Sequence, residues 1–216
     1  MRGEESKDMT NNTNKSFWQR FAKIYTAFMT KNNAAYTAIS DKLRTYVDDE
    51  KEILELGCGT GQITFLMAEQ AKMWIATDYS ENMIQEAQKR CEREMPECKA
   101  IFEVADATCL TYEAEQFDVV VVANVLHIMP DPDVALKEIS RVLKKGGILF
   151  APTFVYEEGY SKLFIWLMER AGFKTYHKWS RTEYVKYVSQ RGLKVIGDTL
   201  IKAHPLSECV LVARKE

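Results

Sequence analysis

The residue types best suited to chemistry in this 216-residue chain cluster in one short run, Glu55-Leu56-Gly57-Cys58-Gly59-Thr60-Gly61. Three glycines at alternate positions let a backbone turn tightly and let a ligand come close to main-chain N–H groups. The run follows an apolar stretch at 53–56 that reads as a strand, and residues 63–71 read as a helix. The start of that helix would offer free N–H groups and a positive dipole end to a polar or anionic group. A dinucleotide fingerprint needs glycine where Gln62 stands, and a phosphate loop needs Lys-Ser/Thr where Gln62-Ile63 stands. Neither pattern fits.

Other candidate residues follow at strand ends. Asp78 closes an apolar run at 73–77, where a carboxylate can accept hydrogen bonds from both hydroxyls of a ribose. Asp106 follows a strand-like run at 101–105 and reads either as a ligand contact or as a helix cap. Met83 is either a ligand contact or plain core, and Glu55 either orients a ligand through the turn or satisfies backbone groups. Cys58 sits where the turn requires a small side chain and needs no catalytic role. His127 follows the β-branched run 117–123. It could take a proton from a hydroxyl or amine nucleophile, or it could pack against the Met129-Pro130 turn. Five scattered cysteines without a CxxC pair and three histidines without recurring spacing predict no metal site.

The elements that must position these groups alternate along the chain. Residues 1–16 read as a disordered tail, and apolar residues at helical spacing from Phe17 to Val47 suggest two helices. Ser80 can cap a helix running towards Met95, and Asp131-Pro132 can open another that ends at Lys144-Lys145-Gly146. Strand 148–151 comes next. An apolar stripe from Tyr160 to Met168 and a Ser180/Glu183 capping box mark two more helices. Runs at 193–201 and 208–213 lie too close together for a crossover helix, so they should pair antiparallel. The expected fold is a doubly wound, mostly parallel, seven-stranded Rossmann-like α/β sheet with the last strand reversed. The expected division is an N-terminal helical lid (17–50), a ligand-binding core (51–151), acceptor-side helices (152–192) and a terminal hairpin (193–216).

In order and spacing these segments resemble the motifs of class I S-adenosylmethionine-dependent methyltransferases. The resemblance covers residues 53–151. It rests on the acidic-x-G-x-G-x-G turn, Asp78, Asp106-Ala107, Phe117-Asp118 through Asn124-Val125-Leu126-His127, and Leu143-Lys144-Lys145-Gly146-Gly147-Ile148-Leu149. It implies S-adenosylmethionine as cofactor, held by Glu55, Gly57, Cys58, Gly59, Gly61, Asp78, Tyr79, Met83, Asp106, Ala107 and Asn124, with S-adenosylhomocysteine as product. The sequence is similar to the small-molecule branch that includes ubiquinone/menaquinone-biosynthesis methyltransferases. There an aromatic N-terminal helix closes over the cofactor, and Phe17, Trp18, Phe21, Tyr25 and Phe28 match it, Tyr25 first. The same stripe could equally be core.

Composition narrows the partners. A net charge of −2 with dispersed Lys and Arg argues against nucleic acid, and the fourth-strand motif is not the Asn/Asp-Pro-Pro-aromatic pattern of nucleic-acid amino methylation. No paired-Glu loop points to an arginine acceptor, and no acidic trio to a metal-dependent catechol enzyme. Aromatic residues Phe154, Tyr156, Tyr160, Phe164, Trp166, Phe173 and Tyr176 form the expected wall for a small apolar or aromatic acceptor. The polar start and the lack of a long apolar run predict a soluble, cytoplasmic protein. Two other readings stay open: a non-catalytic module that binds the cofactor, and a nicotinamide-dependent oxidoreductase.

Overall fold

The computed structural model describes residues 17, 19, 33–157, 166, 167, 169, 170, 172–202 and 206–216. Tyr25, Trp18, Phe21, Phe28, Tyr160 and Phe164 lie outside the described residues.

Seven strands form a single sheet in the order β3-β2-β1-β4-β5-β7-β6. They are β1 (Glu52–Leu56), β2 (Met73–Asp78), β3 (Ile101–Val104), β4 (Phe117–Val122), β5 (Leu143–Val155), β6 (Leu193–Ile201) and β7 (Ser207–Lys215). The pairings from β3 through β5 are parallel, and β7 runs antiparallel to both β5 and β6. The doubly wound sheet with its last strand reversed is therefore as expected. The final strand also inserts between β5 and β6 instead of adding to the edge.

Helices α1 (Asn33–Leu43), α2 (Thr64–Met67), α3 (Glu81–Glu94), α4 (Pro132–Val142) and α5 (Arg181–Ser189) cover the two faces. Period-two alternation of the central strands explains how. Leu54, Leu56, Val120 and Val122 join one core with Leu136, Ile139, Tyr184 and Val188 of α4 and α5. Ile53, Val119 and Val121, one residue out of phase, join the other with Ile39 and Leu43 of α1, Met67 of α2 and Ile84 of α3. Both cores are closed to solvent.

Helix ends follow local chemistry with two corrections. The Ser80 hydroxyl accepts from the Met83 N–H at 3.4 Å, and Ser180 with Glu183 forms a complete capping box. Asp131 makes no side-chain cap, so proline at the first turn starts α4 without it. That helix ends at Val142, earlier than the expected Lys144-Lys145-Gly146, because Leu143 is already extended and pairs with Phe117 of β4. The Lys-Lys-Gly-Gly segment is thus the irregular start of β5. There Lys144 Nζ donates to Asp118 Oδ2 at 2.8 Å, and that same oxygen accepts from the Glu52 N–H at 3.0 Å.

Among the described residues no helix is long and apolar enough to cross a membrane.

Candidate functional site

Parallel register lines up the strand ends. Leu56 pairs with Thr77 on one side and with Val122 on the other, and Asp78 pairs with Val104. The segments leaving β1, β2, β3 and β4 therefore emerge level on one rim, where open α/β sheets bind ligands. That rim brings together the 57–61 turn, Asp78-Tyr79, Asp106-Ala107 and Asn124.

All three glycines of the turn have positive φ, +71° at Gly57, +58° at Gly59 and +87° at Gly61. A Cβ on Gly57 would lie 2.2 Å from Val125 Cγ2, and one on Gly61 would lie 2.7 Å from the Phe65 ring. Glycine is required at these two positions by backbone conformation and by space. The turn is tied to its neighbours by the Cys58 N–H donating to the Thr77 carbonyl at 2.8 Å, and by Arg90 Nη1 donating to the Thr60 carbonyl at 2.6 Å. The helix after it is shorter than expected. Only Thr64–Met67 is α-helical, followed by a 3-10 turn at Ala68–Gln70, so dipole stabilisation by a long helix is not available.

Two carboxyls flank the turn in different ways. Glu55 is buried, and its Oε2 accepts from Thr64 Oγ1 at 2.6 Å and Trp74 Nε1 at 2.8 Å. Burial pushes its carboxyl up to about 7 despite those two donors. Its geometry ties β1 to α2 and β2 beneath the turn. Asp78 is partly exposed on the rim. Its Oδ2 accepts from the Gly59 N–H at 3.0 Å, and its Oδ1 from the Ser80 N–H at 2.8 Å. Desolvation at the strand end raises it to about 6, while the two N–H groups act the other way. Each oxygen keeps acceptor capacity for a ligand hydroxyl. The cradle that side chains would fill and the carboxyl beside it fit the ribose and the methionine end of S-adenosylmethionine.

Asp106 holds its own loop, with Oδ1 accepting from the Thr108 N–H at 2.8 Å and Thr108 Oγ1 at 2.7 Å. The Ala105 N–H donates to the Asp78 carbonyl at 3.1 Å, which brings the two acidic strand ends side by side. Ala107 packs against the core, Met83 is buried and Tyr79 is exposed.

The other half of the rim is where the sequence reading changes most. His127 is buried, its Nδ1 lies 3.0 Å from Thr153 Oγ1, and its ring stands edge-on to Phe154 at 5.7 Å. Burial, aided by His177 nearby, lowers its pKa to about 3. In the fold the imidazole packs between strand ends, where desolvation disfavours its charged form. The His127 carbonyl accepts from the N–H groups of Tyr176 and His177 at 3.0 and 3.1 Å, so the 173–177 segment lies over the loop leaving β4. Asn124, at φ +57°, donates from Nδ2 to Glu208 Oε2 at 3.1 Å, which turns its side chain towards β7. Sequence reading missed Glu208, Thr153 and the Thr64/Trp74 pair. A carboxylate inside the apolar run at 208–213 was the available signal for the first. Among the described residues no group of His, Cys, Asp or Glu is arranged to hold a metal ion.

Residues 54–151 match a family model described as a methyltransferase domain. A ubiquinone biosynthesis O-methyltransferase of Coxiella burnetii is 26% identical over 164 residues, spanning 72% of this chain and 69% of that protein. A demethylmenaquinone methyltransferase of Lactococcus lactis is 40% identical over 98 residues, 44% of this chain and 38% of its own length. Among solved structures, a SAM-dependent methyltransferase of Thermotoga maritima, described as a possible histamine N-methyltransferase, superposes with a TM-score of 0.72. It is 22% identical and covers 93% of this chain and 99% of its own, a likeness of fold alone. The matched segment, which carries the glycine turn and the two acidic strand ends on one rim, is similar to the methyltransferase domain of that family model.

Proposed function

We propose that this protein transfers the methyl group of S-adenosylmethionine to a small apolar or aromatic acceptor by in-line displacement. The observation that carries the reading is the single rim on which the 57–61 turn, Asp78 and Asp106 stand beside Asn124. When bound, the cofactor supplies an electrophilic methyl carbon on a sulfonium. Gly57, Cys58, Gly59 and Gly61 cradle its amino-acid end, with Glu55 stiffening the turn from below. Asp78 accepts from the ribose hydroxyls, while Tyr79, Met83, Asp106 and Ala107 frame the base, with Tyr25 assigned to closing the site. The chain's main contribution to rate is orientation and the exclusion of water. Phe154 and Tyr176, gathered around the loop after β4, supply an apolar acceptor wall. The quinone-pathway names of the two sequence relatives point the same way, to a ring-bearing acceptor. His127 holds this wall in place through Thr153.

The test is calorimetric titration with S-adenosylhomocysteine and with NAD, followed by transfer of labelled methyl to a metabolite extract and to phenolic compounds. Micromolar binding of the first ligand alone, with label entering an aromatic fraction, is the expected result. Binding of NAD instead would reject the reading, and cofactor binding with no label transferred would favour a non-catalytic module.

A further inference from the structure

We propose that Glu208 takes the proton from the acceptor's attacking group, with Asn124 as the positioning residue that holds its carboxylate towards the methyl-transfer site; this rests on the methyltransferase reading above.

Glu208 has no local reason to be acidic. It stands at the start of β7 in an apolar run, almost fully buried at 4% exposure, in register with Phe154 on β5 and Ile201 on β6, neither of them titratable. Among the described residues it forms no ion pair, and its Oε2 accepts a hydrogen bond from Asn124 Nδ2. A buried carboxyl without a cation is costly to keep, and such groups cluster where chemistry needs them. Because β7 is antiparallel to β5, its first residues lie beside the last of β5, with Ser207 against Val155 and Glu208 against Phe154. Inserting the last strand in reverse therefore places a carboxyl on the same rim as the parallel strand ends.

Asn124 links that carboxyl to the reaction zone. It follows the central strand in a left-handed conformation that costs a non-glycine residue strain, and its N–H donates to the Pro152 carbonyl at 2.8 Å. With Nδ2 committed to Glu208, its buried Oδ1 has no hydrogen-bond partner among the described residues. A buried acceptor atom left open next to a buried carboxyl suits an incoming hydroxyl or N–H donor. Burial raises the Glu208 carboxyl to about 7, with the Asn124 hydrogen bond acting downwards, which suits proton transfer near neutral pH. His127, the other candidate on this rim, has its Nδ1 engaged with Thr153 Oγ1 at 3.0 Å, and burial lowers its basicity.

The acceptor's O–H bond breaks and its proton goes to the Glu208 carboxylate, while the oxygen forms a bond to the methyl carbon. The carbon–sulfur bond breaks, and its electron pair stays on sulfur, giving a neutral thioether. Glu208 then returns the proton to solvent.

The test uses the full chain with 4-nitrophenol as probe, because its ionisation is visible in absorbance. Calorimetry with S-adenosylhomocysteine comes first, for wild type, Glu208→Gln and Glu208→Asp. The expected result is equal cofactor-product binding in all three. On adding the probe at neutral pH, where part of Glu208 is ionised, the loaded wild type should show more phenolate than Glu208→Gln, with Glu208→Asp between the two. Labelled-methyl transfer to the same phenol should drop by about a hundredfold or more in Glu208→Gln. Failure of wild type to bind S-adenosylhomocysteine would reject the methyltransferase reading, and this proposal with it. With binding intact, an unbound or neutral probe in wild type, or the same phenolate spectrum in Glu208→Gln, would overturn the proton-acceptor role alone. Loss of S-adenosylhomocysteine binding by Glu208→Gln would make its role structural and also overturn the proposal.

Discussion

The two halves of the rim are built by different means. Around β1 and β2, each functional group is held by residues close in sequence or by the adjacent parallel strand: Asp78 by Ser80 and Gly59, Asp106 by Thr108. Around β4, β5 and β7, the contacts join distant parts of the chain, with Asn124 reaching Glu208 and His127 reaching Thr153. The first half is a local motif that the sheet displays. The second half needs β5 beside β4 and, for its carboxyl, the last strand inserted between β5 and β6. A fold built this way can keep its local half constant while the other half changes with the long-range packing.

The largest effect expected from breaking the local half is at Gly57. Alanine there meets Val125 at 2.2 Å and must also hold a left-handed φ, so Gly57→Ala should destabilise the protein by about 4 kcal/mol in chemical denaturation. Gly192→Ala provides the control, since it carries strain of φ +75° with open space around it and should cost only about 1 kcal/mol. Equal losses at the two sites would show that Val125 yields and that space does not set the turn.

Glu55 tests the pH behaviour of the same half. Its folded pKa lies above its unfolded value, so its contribution to stability is complete below about 4.5 and is lost as pH rises through about 7. Glu55→Gln can still accept from Thr64 and Trp74 but cannot ionise. Relative to wild type it should therefore gain stability across that window, by up to about 3 kcal/mol at the alkaline end. Denaturation midpoints of the two proteins that stay parallel from acid to alkaline pH would contradict the assignment.

Asp78→Ala should weaken S-adenosylhomocysteine binding by about 2 kcal/mol, read by calorimetry, if its carboxylate accepts from the ribose. An unchanged dissociation constant would remove Asp78 from the cofactor site. The smallest expected effect lies in the distant half. Thr153→Val takes away the hydroxyl paired with His127 and should cost about 1 kcal/mol of stability while leaving S-adenosylhomocysteine affinity unaltered. A large loss of cofactor affinity in this variant would mean that the two halves are coupled more tightly than their contacts suggest.

Much of the fold could be read from residue patterns, for reasons visible in particular elements. The β-branched run in β4 and the alternation of β1 signal strands because burial on both faces demands apolar residues in both phases. Ser180 and Glu183 signal a helix start because a capping box is satisfied within four residues. The extent of the helix after the glycine turn and the end of α4 were misread. Those boundaries depend on when strand pairing takes over from helical hydrogen bonding, as at Leu143 with Phe117, and composition does not carry that information.

The sequence by itself determined the glycine turn and the acidic strand ends, because backbone conformation, close approach and local hydrogen bonds are properties of neighbouring residues. It also determined the alternation of strand and helix that leads to a doubly wound sheet. Only the tertiary structure decided that His127 is buried beside Thr153 and that Asn124 faces Glu208 across 84 positions of chain. Burial raises or lowers a pKa through everything packed around the group, and that surrounding exists only once the reversed strand has found its place between β5 and β6.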